Sequence, residues 1–164
     1  MPQNSRVKEA ATVQPSLGHW LKQQGVQHFD ALVLDIDGVL LTGQEALPGA
    51  SQFIQYLHSI SMPFTLLTND ACHSPVEKVA FLKNSGTEVR PDEIVSCGHG
   101  LIEMAAERGW SSRTFFLMGT LGNPCFAVAA GLNVTTDLEN VDECDGVVVG
   151  EKEYDWYGVI HGGF

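Results

Sequence analysis

An apolar run that stops on two acids and a glycine constrains this chain most: Phe29-Asp30-Ala31-Leu32-Val33-Leu34-Asp35-Ile36-Asp37-Gly38-Val39-Leu40. Its β-rich content from Ala31 to Ile36 reads as a buried strand. Side chains alternate along an extended chain, so Asp35 and Asp37 are expected to leave on the same side. Two carboxylates that close repel one another, and a cation beside them relieves the repulsion. Gly38 lets the backbone turn tightly and lets a ligand approach its amide. Hard oxygen donors suit Mg²⁺, which takes one or two carboxylates together with phosphate oxygens. A charged strand end facing water is the plainer reading; the pair's place at the end of a buried strand favours a site.

Asp35-Ile36-Asp37-Gly38-Val39-Leu40 resembles motif I (hhhDxDGxh, h apolar) of the haloacid dehalogenase-like hydrolases. The resemblance implies that Asp35 is a nucleophile forming an aspartyl phosphate and also a metal ligand. It implies that Asp37 is the general acid/base and contributes a backbone carbonyl to Mg²⁺. A second signal lies about 30 residues on, where Phe64-Thr65-Leu66-Leu67-Thr68 reads as a strand ending in Asn69-Asp70. Open α/β sheets bind ligands at such carboxyl edges. Thr68 and Asn69 are similar to motif II of the same superfamily, which holds phosphoryl oxygens; with Gly38 they are the expected phosphate contacts. Relatives often read Thr-Asn-Asn there, and Asp70 adds a negative charge beside an anion site.

The 164 residues suffice for one well-cored domain. The 20 acidic and 9 basic residues give a net charge of −11, which disfavours nucleic acid and anionic lipid as partners. No apolar run approaches the roughly 18 to 20 residues of a membrane span. The polar opening from Met1 to Gln14 carries no signal-peptide pattern. Cys72, Cys97, Cys125 and Cys144 form no C-x-x-C pair and match no zinc spacing, which suits a reducing, cytoplasmic setting. Gly98-His99-Gly100 lacks the dinucleotide-binding spacing.

In chain order, residues 1–15 read as a mobile arm, followed by a short helix from Ser16 to Gln24. Pro48 opens a helix whose Ala50, Phe53, Ile54, Leu57 and Ile60 share a buried face, with His58 solvated. Ser74-Pro75-Val76-Glu77 is a capping box with proline at the first helical position, and Gly86 closes that helix. Residues 91–96 lead into a helix from about Gly100 to Glu107. Thr114–Met118 reads as a buried strand, Asn123-Pro124 as a helix start, Asn133-Val134 as a short strand, residues 137–145 as an acidic loop, and Gly146–Gly150 as a last strand. Strands alternating with helices predict an α/β fold with a parallel sheet.

This order resembles the type IIA branch of the superfamily, which includes nitrophenyl-phosphatase-like and sugar- or nucleotide-phosphatase-like enzymes. It implies a three-layer, Rossmann-like core that is incomplete and lacks its cap domain. The expected organisation is an arm and short helix at 1–28, a partial core at 29–150, and the start of a cap or a tail at 151–164. The superfamily's motif III lysine and motif IV Gly-Asp run find no counterpart, the only late lysine being Lys152. The expectation is therefore a Mg²⁺-dependent phosphatase of small phosphorylated metabolites, weak or inactive as this chain, with homo-oligomerisation left open. The alternative is a non-catalytic phosphate- or metal-binding remnant, or an assembly partner. A receiver-type domain is disfavoured because no lone Asp ends Thr114–Met118, and a dehalogenase because it needs no Asp37.

Overall fold

The computed structural model describes residues 28–150 and, ahead of them, His19 and residues 23–25. The chain forms two compact units, the first ending at Asp30 and the second beginning at Ala31. In the first, His19, Gln23 and Gln24 are helical, and a ring nitrogen of His19 lies 2.8 Å from the Gln23 amide nitrogen. The rest of the expected 16–24 helix, the expected arm and the expected 151–164 segment lie outside the described residues. The strands and helices of the α/β core all belong to the second unit.

Strand β1 (Leu32–Asp35) stops at the first acid. A tight turn returns the chain into a short antiparallel pair, β2 (Leu41–Thr42) and β3 (Glu45–Ala46), where the sequence suggests loop. Helix α1 (Ala50–Ser59) buries Ala50, Ile54 and Leu57 at the expected spacing. Ile60 lies past its last turn and is exposed, so it does not join that face. Strand β4 (Phe64–Thr68) runs parallel to β1, pairing Leu32 with Phe64 and Asp35 with Leu67. Helix α2 (Pro75–Asn84) starts with the expected capping box: the Ser74 hydroxyl accepts the Glu77 amide, and the Glu77 carboxylate accepts the Ser74 amide.

Strand β5 (Ile94–Ser96) has no signal of its own in the sequence. Three residues give no readable alternation; the strand exists because Leu66, Leu67 and Thr68 of β4 offer Ile94, Val95 and Ser96 a parallel ladder. Helix α3 (Gly98–Arg108) follows and ends at Gly109, whose φ of 63° is the left-handed conformation that stops a helix. Strand β6 (Thr114–Met118), short helix α4 (Phe126–Ala129), β7 (Asn133–Thr135) and β8 (Gly146–Val149) complete the order. The acidic loop holds a 3₁₀ stretch, Leu138–Glu143.

Apart from the β2–β3 pair the strands are parallel, as expected, but they form two sheets. One has the order β1-β4-β5 and the other β7-β6-β8. Each sheet has its own core. Leu34, Ile36, Leu66 and Ile94 pack with Ile54, Leu57 and Leu82 from the helices of the first half, while Phe115, Leu121, Ala127 and Leu132 pack with Ala105 in the second.

β1 is not buried on both sides, as the apolar run suggests. Leu34 is buried, but Val33 is 68% exposed, and Leu67 and Val95 are exposed with it. Register places Val33 beside Thr65 and Leu67 beside Val95, so this is one continuous sheet face. Parallel sheets are ordinarily covered on both faces.

Candidate active site

All three strands of the first sheet deliver polar side chains to one edge. β1 ends at Asp35, β4 at Thr68 and β5 at Ser96. Beyond β1 the chain bends at Ile36, so the strand alternation that predicts a shared side for Asp35 and Asp37 stops short of Asp37. The Asp35 carboxylate accepts from the amide of Ile36 (2.9 Å), and the residue is exposed.

The carboxylate of Asp37 is held by three hydrogen bonds. The Thr68 hydroxyl donates to Oδ2 (2.9 Å), and Nζ of Lys78 donates to Oδ1 (2.7 Å) and Oδ2 (3.0 Å). Lys78 also lies 2.6 Å from Asp70 Oδ2, and only 2% of its side chain is exposed. A buried ammonium must find carboxylates, and here two share it. The Asp70 carboxylate further accepts from the amides of Cys72 (2.7 Å) and His73 (3.3 Å), and Nδ1 of His73 is 2.7 Å away.

Burial works to raise the pKa of Asp70, but the hydrogen bonds from Lys78 and His73 and the charge of Lys78 outweigh it, and the carboxyl is held at about 2. For Lys78, burial works to lower the pKa; the hydrogen bonds to Asp37 and Asp70 prevail and raise it above the ordinary lysine range. The pair is therefore charged across the physiological range.

Lys78 sets beside these acids a cation not named from the sequence. Sequence reasoning misses it when α2 is read from its apolar residues alone. The signal is present: Ser74, Lys78 and Leu82, spaced by four, are all buried, which puts a lysine in the core-facing stripe. Asp70, read from the sequence as an added negative charge beside an anion site, is paired with a lysine from the first turn of the next helix.

The other expected phosphate contacts divide. Thr68 is buried; its hydroxyl donates to Asp37 and accepts from the amide of Asp70 (3.0 Å). Asn69 is exposed at the strand end, its carbonyl accepting from the Cys97 thiol. Gly38 has φ +84°, and its amide donates to the carbonyl of Leu41 (2.7 Å). A methyl group built on Gly38 would meet nothing within 4 Å, so the space beside it is open.

A loop from the second half reaches this edge. The Glu77 carboxylate accepts from the Asn123 amide (2.7 Å), the Ser74 hydroxyl donates to the Asn123 carbonyl (2.6 Å), and the Gly122 amide donates to the carbonyl of Cys72. A side chain on Gly122 would strike the backbone of Ser74. Burial works to raise the pKa of Glu77, and the amides of Ser74 and Asn123 lower it instead.

An acid pair and a threonine meet at the carboxyl edge of a parallel sheet, the place where α/β proteins of this class bind their ligands. The haloacid dehalogenase-like hydrolase family profile matches residues 32–133, and the chain belongs to that family. An acid sugar phosphatase of Staphylococcus epidermidis is 29% identical over 128 residues, covering 78% of this chain and 48% of that protein. One from Staphylococcus saprophyticus is 33% identical over the same coverage. The fold is similar to that of a glycerol phosphate phosphatase of Mycobacterium tuberculosis in complex with magnesium. That likeness has a TM-score of 0.66 at 24% identity, over 83% of this chain and 40% of that one. The chain thus spans 48% of the length of the acid sugar phosphatase and 40% of that of the glycerol phosphate phosphatase.

Proposed function

We propose that this chain carries the phosphoryl-transfer site of a phosphatase acting on small phosphorylated metabolites. The observation that carries the reading is the hydrogen bond from Thr68, at the end of β4, to Asp37, two residues beyond the end of β1. It joins the two sequence signals at one sheet edge.

In this reading an oxygen of Asp35 attacks phosphorus and the ester oxygen leaves, taking a proton from Asp37. A water molecule, deprotonated by Asp37, then hydrolyses the aspartyl phosphate. Asn69, at the exposed strand end, is the proposed phosphate contact, and Gly38 leaves the approach beside Asp37 open. Thr68 acts first on Asp37, to which its hydroxyl donates. The donors fit Mg²⁺ in kind: Asp35 offers an exposed carboxylate, and Asp37 a main-chain carbonyl. Among the described residues no group of three or more His, Cys, Asp or Glu could hold a metal; Mg²⁺ ordinarily takes one or two carboxylates together with water and phosphate oxygens. When bound, the ion neutralises charge on the phosphoryl group.

The sugar and glycerol phosphates named for the relatives give the substrate class proposed here. Among the described residues no helix is long and apolar enough to cross a membrane; the scattered cysteines, with no C-x-x-C pair, support a proposed cytoplasmic location. Phosphate release from p-nitrophenyl phosphate tests the reading. Release that requires Mg²⁺ and disappears in Asp35→Asn is expected; equal release by Asp35→Asn would overturn it.

A further inference from the structure

The three N–H groups of Lys78 are committed to Asp37 and Asp70, at distances of 2.7 and 3.0 Å to Asp37 and 2.6 Å to Asp70. An ammonium so engaged has no donor left for a substrate phosphate. Its two partners differ. The Asp37 carboxylate is held by side chains, Lys78 on both oxygens and Thr68 on the second. Asp70 is fixed independently by the main-chain amides of Cys72 and His73 and by the His73 ring. Asp70 is thus the rigid end of the chain of contacts, Lys78 the link, and Asp37 the end that is held.

We propose that Lys78 is a positioning residue that fixes the Asp37 carboxylate, and that Asp70 is the anchor that fixes Lys78, so that the two act as one unit. The inference rests on the phosphatase reading for the role of Asp37. It predicts that the pair is interdependent: without Lys78, Asp70 and Asp37 become two acids with no bridge, whereas losing both members of the pair removes one of the two stranded charges.

The test is a double-mutant cycle on the full chain, with Lys78→Met, Asp70→Asn and both together. With p-nitrophenyl phosphate and Mg²⁺, Lys78→Met is expected to lower kcat about 100-fold with KM within about threefold, the mark of a misplaced reacting group. Asp70→Asn should lower kcat about tenfold, and the double variant should recover about tenfold over Lys78→Met. A raised KM at unchanged kcat would make Lys78 a phosphate ligand and overturn the proposal. So would losses that simply multiply. If Lys78→Met does not fold, a folded double variant is the expected coupling, and a double variant that also fails to fold overturns it.

A second readout needs no turnover. In protein labelled with ¹³C at the aspartate carboxyls, Asp70→Asn should move the Asp37 resonance while Lys78 is present and leave it in place in the Lys78→Met background. Equal movement in both backgrounds overturns the link through Lys78. A wild type without turnover would defeat the phosphatase reading alone, and the carboxyl resonance would still decide this one.

Discussion

Two charge clusters lie at opposite ends of the first sheet, and the contrast between them shows what burial does to the same chemistry. At the carboxyl edge, Lys78 is 2% exposed and bridges Asp37 and Asp70. At the amino edge, Arg90 is 65% exposed and lies 3.1 Å from both Asp92 and Glu93, while His58 rests on Phe64 and lies 3.5 Å from Glu93. Each cluster joins one permanent cation to two carboxylates. Around the buried ammonium, water cannot replace a lost carboxylate, although the Asp37 side chain is itself 37% exposed. In the other cluster, water and salt ions reach the Arg90 guanidinium, so that cation is nearly dispensable although its partner Glu93 is buried.

Lys78→Met strands two acids and should show the largest loss, about 3–5 kcal/mol in urea denaturation. Asp70→Asn comes next, at about 2 kcal/mol near neutral pH. The pKa of Asp70 falls from 3.8 to about 2 on folding. Its contribution is therefore full above the unfolded value and is lost as the pH drops from about 4 to about 2. Urea midpoints measured across that window should lose part of their acid limb in Asp70→Asn. The smallest effect belongs to Arg90→Ala: under about 1 kcal/mol, and shrinking further as salt is raised to about 1 M. If Arg90→Ala cost as much as Lys78→Met, burial would not be what separates the clusters.

What can be read in the sequence is local. The capping box at Ser74 and Glu77 states a helix start in four residues, and Asp35 at the close of an apolar run states a strand end. Thr68 is legible for the same reason. The missing parts are those fixed by distant partners. β5 is three residues that become a strand only beside β4, and the division into two sheets depends on which strands find each other. The role of Lys78 is of this kind too, because the pattern inside α2 shows that a lysine faces inward but not which acids await it. Asp70 is misjudged in consequence: its charge is visible, its neutraliser is not. Val33 shows the opposite error, since a wholly apolar run conceals which of its faces is left bare.

The grip of Ser74 and Glu77 on Asn123, with Gly122 fitted against Ser74, has a mechanical meaning. The residues it clamps open the very helix that carries Lys78 one turn later. Although the second sheet supplies none of the charged side chains around Asp37, its loop after β6 is geared to the lever that holds that carboxylate. A tug on this loop, or a cut through it, would be transmitted along one helical turn to Asp37, the proposed acid/base group.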